Sequence, residues 1–272
     1  MRIDIITIFD EMFKGIIENS IIKRAIEKNL VEIHLHDFRS FTLDKHNRVD
    51  DTTYGGGAGM LISLQAITDC LKSIPGYNNA HKIITSPIGK VYNQEKAASL
   101  SKLDHIIILC GHYEGIDDRI SNYIDEEISI GDYILTGGEI AGAAILDSIV
   151  RLIPDAIKEE SYLDESFSND LLEYPQFTKP PVYDGFAVPE VLINGNHEEI
   201  RKYRLYESIK RTYERRPDLL KKHKFELEEE YYLEAIKQGL NLEDANIYVS
   251  NKLKEYKKKQ KCWIVKQIRL NK

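Results

Sequence analysis

Between Ile106 and Arg151 the chain reads IIILCGHYEGIDDRISNYIDEEISIGDYILTGGEIAGAAILDSIVR, two apolar runs that each break into a glycine-bearing loop. Six of the protein's 16 glycines fall in this stretch, and no other feature limits the fold as much. Ile106 to Cys110 is short, apolar and β-branched, the composition of a strand buried on both faces. A helix-like segment, Asp117 to Tyr123, follows it. The second run, Ile128 to Leu135, is interrupted by Gly131-Asp132 and closes on Thr136-Gly137-Gly138. Ile140 to Val150, built from Ala, Gly, Ile and Leu, then reads as a helix packed tightly against its neighbours. Glycine at a strand end lets the backbone turn sharply or meet a ligand with no Cβ in the way. Ligands of parallel α/β sheets sit at strand carboxyl ends. Two such loops leading into one small-residue helix predict a pocket lined by backbone. It is not a standard nucleotide site, because no G-x-G-x-x-G follows a strand and no G-x-x-x-x-G-K-[ST] occurs.

The remaining pattern extends the same architecture. Arg2 to Phe9 reads as a strand, Met12 to Lys28 as one helix and Val31 to Phe38 as a strand. Leu64 to Ile74 is helical, Lys82 to Thr85 a strand, and Gln94 to Lys102 a helix. Strand and helix in alternation mean an α/β fold, a mostly parallel sheet with helices on both faces. From Pro154 to about Val191 the pattern dissolves, and five of the eight prolines gather there. Proline, acidic residues and the aromatics Tyr162, Phe167, Tyr174 and Phe177 mark an interdomain connection that does more than link. His197 to Arg216 is helical again, with Ile200, Tyr203, Ile209 and Tyr213 toward a core and Arg201, Arg204, Arg211 and Arg215 near one stripe.

A formal net charge of −7 argues against a nucleic-acid partner until its distribution is read. Between Arg201 and Lys224 there are ten Lys or Arg and three acids, a local surface suited to phosphates. Asn251 to Lys272 is again lysine-rich and holds the single tryptophan, Trp263. Three widely spaced cysteines exclude a disulfide framework or a zinc cluster and point to a reducing cytoplasm. The first residues, with Asp4 and Asp10 inside an apolar stretch, are not a signal peptide, and no run reaches membrane-spanning length.

The segments Gly111-His112-Tyr113-Glu114-Gly115 and Ser129 through Glu139 closely resemble the bacterial tRNA (guanine-N1)-methyltransferases of the TrmD type. So do Tyr54 through Met60, Ser86-Pro87-Ile88-Gly89, Val150 through Pro154, and Ser166-Phe167 running into Tyr174 through Pro180. Six motifs in register, collinear to about Lys224, make the resemblance specific. It implies a SPOUT fold whose sheet carries a deep trefoil knot, with a small C-terminal helical domain. The implied division is a knotted cofactor domain at 1–160, an active-site linker at 161–195, a helical tRNA-binding domain at 196–250 and a basic tail at 251–272. It further implies a homodimer in which one protomer's linker completes the other's site. The reaction implied is methyl transfer from S-adenosyl-L-methionine to N1 of guanosine 37 of tRNA, beside the anticodon, with a magnesium dependence.

Such a transfer needs methyl and nucleophile aligned, the N1 proton removed, and the charge that develops on O6 stabilised. By resemblance Arg151 serves O6. The family's base, an aspartate before the Ser-Phe pair, falls on Glu165, one methylene longer, with Asp164 and Asp170 as alternatives. Glu114 suits the guanine N–H edge, since a carboxylate accepts from two donors. The cofactor positions carried over are Ser86, Pro87, Gly111, Ile130, Gly131, Asp132, Tyr133, Ile134, Leu135, Gly137 and Gly138. RNA contacts fall on Arg48 and Gly59 in the glycine loop, where Ala58 replaces the usual proline, and on Arg201, Arg204, Arg211 and Arg215. Two rivals remain: a related knotted RNA methyltransferase with another target base, and a non-catalytic RNA-binding relic.

Overall fold

The computed structural model describes residues 1–56, 59–158, 166–167 and 169–270, with side chains as far as Lys261. It divides into two compact units, Met1–Glu159 and Glu160–Lys272.

The first unit is built on five strands: β1 (Arg2–Thr7), β2 (Glu32–Asp37), β5 (His81–Val91), β6 (His105–Cys110) and β7 (Glu126–Ser129). They lie in the order β2-β1-β6-β5-β7, and every pairing is parallel. Helices α1 (Glu11–Ile17), α2 (Ser20–Glu27), α4 (Gln94–Leu100) and α5 (Glu139–Val150) supply one core, with Ile3, Ile5, Ile106 and Ile108 beneath them. Helix α3 (Leu64–Ser73) covers the opposite face, where Ile6, Ile107 and Leu109 meet Ile67 and Leu71. Burial on both faces explains why β1 and β6 show no polar alternation. Each fully buried isoleucine contributes roughly 1.5–3 kcal/mol of burial free energy. Two short strands, β3 (Asp50–Asp51) and β4 (Leu61–Ile62), pair antiparallel outside this sheet.

Three expectations change. The single helix expected over Met12 to Lys28 is two, because Asn19 is extended, its side chain turns back onto the Gly15 carbonyl, and Ser20 adopts a φ of 55°. Asp117 to Tyr123 holds a 3-10 turn over Asp118–Tyr123, too tight to propagate as an α-helix. The strand expected to stop at Thr85 resumes, with a register break between Thr85 and Lys90 that throws Ser86 to Gly89 out of the ladder. Pro87, which has no N–H to donate, sits inside that break.

One polar group interrupts the sheet's apolar interior. Asp4 is fully buried on β1 and accepts from Arg2, while His36 of β2 and His105 of β6 lie 2.6 and 2.7 Å from its oxygens. Burial alone would raise its pKa, but the bonds from Arg2, His36 and His105 outweigh it and hold the carboxyl well below the usual range.

The second unit carries a hairpin, β8 (Val182–Tyr183) with β9 (Phe186–Ala187), and helices α6 (His197–Arg215), α7 (Pro217–Leu220), α8 (Leu227–Lys237) and α9 (Leu242–Leu270). Asn196 caps α6, and Glu226 with Glu229 forms a capping box on α8. Its core gathers Leu171, Ile209, Ala235, Ala245 and Val249 around Tyr206 and Tyr232. Both tyrosine hydroxyls find acceptors, the Leu240 carbonyl and Asn246. On α6 the buried face is Tyr203, Tyr206, Ile209 and Thr212, so the Tyr213 expected in the core is exposed instead. The boundary expected at 250/251 falls inside α9, which continues as one helix.

Candidate active site

The register break of β5 and the ends of β6 and β7 open into one cavity of about 460 Å³, within the range of small-molecule sites. Three segments wall it: the looped-out Ser86 and Pro87, Gly111 through Ile116, and Ile130 through Gly138 apart from Asp132. Ten of the eleven expected cofactor positions therefore stand around a single space. Asp132 is the exception, and it is not among the lining residues.

Backbone contacts hold these walls together. The Gly138 amide donates to the Gly111 carbonyl at 2.7 Å, and His112 and Gly137 form an antiparallel bridge. A Cβ at Gly138 would overlap Thr85 Oγ1 and stand 3.0 Å from the Gly111 nitrogen, so only glycine permits the approach. Beneath this junction lies Glu139, 2% exposed at the first turn of α5. It accepts from Thr7 Oγ1 at 2.9 Å and benefits from the positive end of the helix dipole. His112 Nδ1 is buried and stands 3.6 Å from Glu139, too far for a hydrogen bond. The Thr7–Glu139–His112 group was not anticipated. Its members lie up to 132 residues apart, and no local pattern announces such a contact. Cys110, beside it, is inert as a nucleophile, since burial, and then the charge of Glu139, push its thiol well up.

Glu114 is exposed on the cavity wall. Gly59 packs directly against its side chain, and the Glu114 amide donates to the Met60 carbonyl, so the glycine loop and the candidate guanine-reading residue are neighbours. Arg48, by contrast, is paired with Asp44 at 3.1 Å. Arg151 caps the far end of α5, one helix length of about 18 Å from Gly138, and it does not line the cavity.

Glu165, Asp164, Tyr162 and Ala58 lie outside the described residues. The segment just after the expected base position is fastened within the helical unit. Leu172 N donates to Thr212 Oγ1, Ser208 Oγ donates to the Leu172 carbonyl, and His223 bridges the Asn169 carbonyl and Glu229. Asp170 is half-buried there with a φ of 62°.

The four arginines expected on one basic stripe of α6 differ in their commitments. Arg201 bonds both Glu198 and Glu228. Those bonds raise its pKa, with Glu198 the larger cause. Arg204 stacks 4.7 Å over the Tyr174 ring on the wall of a second cavity of about 700 Å³, shared with Phe177, Leu192 and Ile200. Among the described residues, Arg211 and Arg215 meet no carboxylate within 4 Å.

Comparison with known proteins settles the lineage. The family model described as tRNA (Guanine-1)-methyltransferase TrmD matches residues 1–222. The chain belongs to the TrmD family. A tRNA (guanine-N(1)-)-methyltransferase from Aster yellows witches'-broom phytoplasma is 51% identical over 241 residues, 88% of this chain and 99% of the relative. One from Clostridium botulinum strain 657 is 50% identical over 241 residues, covering 88% of this chain and all of the relative. A third, from Clostridium botulinum strain Eklund 17B, is 53% identical over 222 residues, 81% of this chain and 93% of the relative. Among the described residues no helix is long and apolar enough to cross a membrane.

Proposed function

We propose that this chain transfers a methyl group from S-adenosyl-L-methionine to N1 of guanosine 37 of tRNA, beside the anticodon. One observation carries the reading: the glycine-defined walls of the family's cofactor motifs close on a single cavity, with Glu114 on its wall. The fit to the cofactor rests on the cavity's volume, its glycine-rich lining and the buried, unbonded His112 Nδ1. S-adenosylmethionine supplies a methyl already activated on sulfonium. The chain's task is then to orient the guanine, take its proton and stabilise charge on O6. Glu114 accepts from the guanine N–H edge, Glu165 takes the N1 proton, with Asp164 and Asp170 as its alternates, and Arg151 donates to O6.

This reading includes a trefoil knot through the sheet, a cytoplasmic enzyme and a homodimer. The dimer is supported by two features. Arg151 stands a helix length from its own cavity, and Ile88, Tyr113, Tyr133 and Ile134 expose apolar surface around the cavity mouth. A second copy would bring the distant groups together. The helical unit holds the tRNA, and the guanosine is turned out of its stack to reach the pocket. For magnesium, no three His, Cys, Asp or Glu come together as a metal site among the described residues.

The test is transfer of labelled methyl to two transcripts that differ only by guanosine or adenosine at position 37. Wild type is expected to methylate the guanosine transcript alone, and Glu165→Gln to methylate neither. Equal transfer to both would remove the specificity, and full activity in the variant would move the base to Asp164 or Asp170.

A further inference from the structure

The relatives are covered almost end to end by 241 aligned residues, and the family match starts at residue 1 and stops at residue 222, yet this chain continues to residue 272. Its C-terminal part is α9. The first turns of that helix belong to the core of the helical unit, where Ala245 and Val249 are buried and Leu253 packs beside them. From Lys254 to Lys261 every residue is exposed, so the helix leaves the core and continues unsupported. Lysine, glutamate and glutamine are good helix formers, and elongation of a nucleated helix is cheap.

Lys254, Lys257, Lys258 and Lys261 recur at intervals of three, one and three, so all four fall on one stripe about 10 Å long. Glu255 is the one acid from residue 251 to 272, against nine Lys or Arg. A stripe of like charge repels itself and weakens the isolated helix. A merely solubilising helix would intersperse acids. Among the described residues none of these four lysines has a carboxylate within 4 Å, whereas Arg201 and Arg216 are both paired within the helical unit. The positive charge of these four lysines is therefore free for an external partner.

We propose that α9 beyond Leu253 is an RNA arm whose lysine stripe lies along the phosphate backbone of the tRNA. Phosphates are its charge complement. Along the stripe, from Lys254 to Lys261, the residues across the helix are Glu255, Tyr256, Lys259 and Gln260, not the continuous apolar face that lying in a bilayer interface requires. The arm rests on the functional reading only for the identity of the RNA.

The test uses the full chain and a full-length variant carrying Lys254→Gln, Lys257→Gln, Lys258→Gln and Lys261→Gln, exchanges that keep helix propensity at exposed positions. Binding of an unmodified tRNA transcript is titrated across salt, beside S-adenosylmethionine affinity, kcat and binding to phosphatidylserine vesicles. The variant is expected to bind tRNA about tenfold or more weakly at low salt, with the slope of log affinity on log salt reduced by roughly 2–4. Cofactor affinity and kcat stay unchanged. Equal tRNA affinity and slope in both proteins would overturn the arm, and so would a loss confined to the vesicles. A wild type that binds tRNA through the arm yet transfers no methyl would leave the arm standing and sink the functional reading.

Discussion

The cavity of the sheet unit and the basic faces of the helical unit are both assembled from residues that stand out in the sequence, yet they are wired differently. At the cavity, backbone meets backbone: Gly138 against Gly111, Gly137 against His112, and Ser86 to Gly89 thrown from the ladder. On α6 and α9, side chains decide everything, and residues of one type have opposite fates. Arg201 is tied to two glutamates, while the lysines of α9 have no carboxylate within 4 Å among the described residues. A glycine records in the sequence that something must come close. A lysine or arginine records only that a charge exists, not where it is used.

The sharpest way to break this contrast is Gly138→Ala. The new Cβ overlaps Thr85 and crowds Gly111, and displacement of a wall by even about 1 Å can cost a hundredfold. Calorimetric titration should show S-adenosylmethionine affinity falling about 100-fold or more, while tRNA affinity changes less than about threefold. A cofactor affinity that survives would mean the walls are not set by backbone approach.

Asp4 tests a side-chain site inside the sheet unit. Asp4→Asn breaks a buried charge cluster and should lower unfolding free energy by about 3–5 kcal/mol in denaturant titrations near neutrality. The pH dependence has a definite sign. Because the folded carboxyl is held below its ordinary value, its contribution is present above roughly pH 4 and is lost as pH falls through the folded pKa. The wild type should therefore lose more stability than Asp4→Asn on acidification below pH 4.

Smaller effects are expected on α6. Arg211→Gln or Arg215→Gln should weaken tRNA binding about threefold and reduce the salt slope by roughly one each. Arg201→Gln, whose charge is already neutralised by Glu198 and Glu228, should change tRNA affinity less than about twofold. Equal losses at Arg201 and Arg211 would erase the distinction between committed and free charge.

Legibility in the sequence follows the same division. The parallel sheet and the small-residue α5 are readable because burial on two faces leaves continuous apolar runs. Ten of the expected cofactor positions converge because their motifs are made of glycine and turn residues, whose backbone demands are local. The break between α1 and α2 is not readable, since apolar spacing continues across Asn19 and Ser20 while one left-handed residue redirects the chain. Nor is the bond from Thr7 to Glu139, which joins two ordinary-looking polar residues across 132 positions. Arg201 shows the limit most plainly: its helical stripe is visible, but its partner Glu228 belongs to another helix.

The position of β1 has a consequence during synthesis. Its register pairs Ile3 with Ile106, so on one side this strand has no neighbour until over a hundred further residues have been translated. At about 5–20 residues per second that edge stays open for roughly 5–20 s. Asp4 lies in the middle of it, and His105, one of its eventual partners, arrives only with β6. A charged side chain on an unpaired strand edge discourages pairing with another chain. The carboxylate that stabilises the finished sheet thus also guards the nascent chain while its neighbour is still being made.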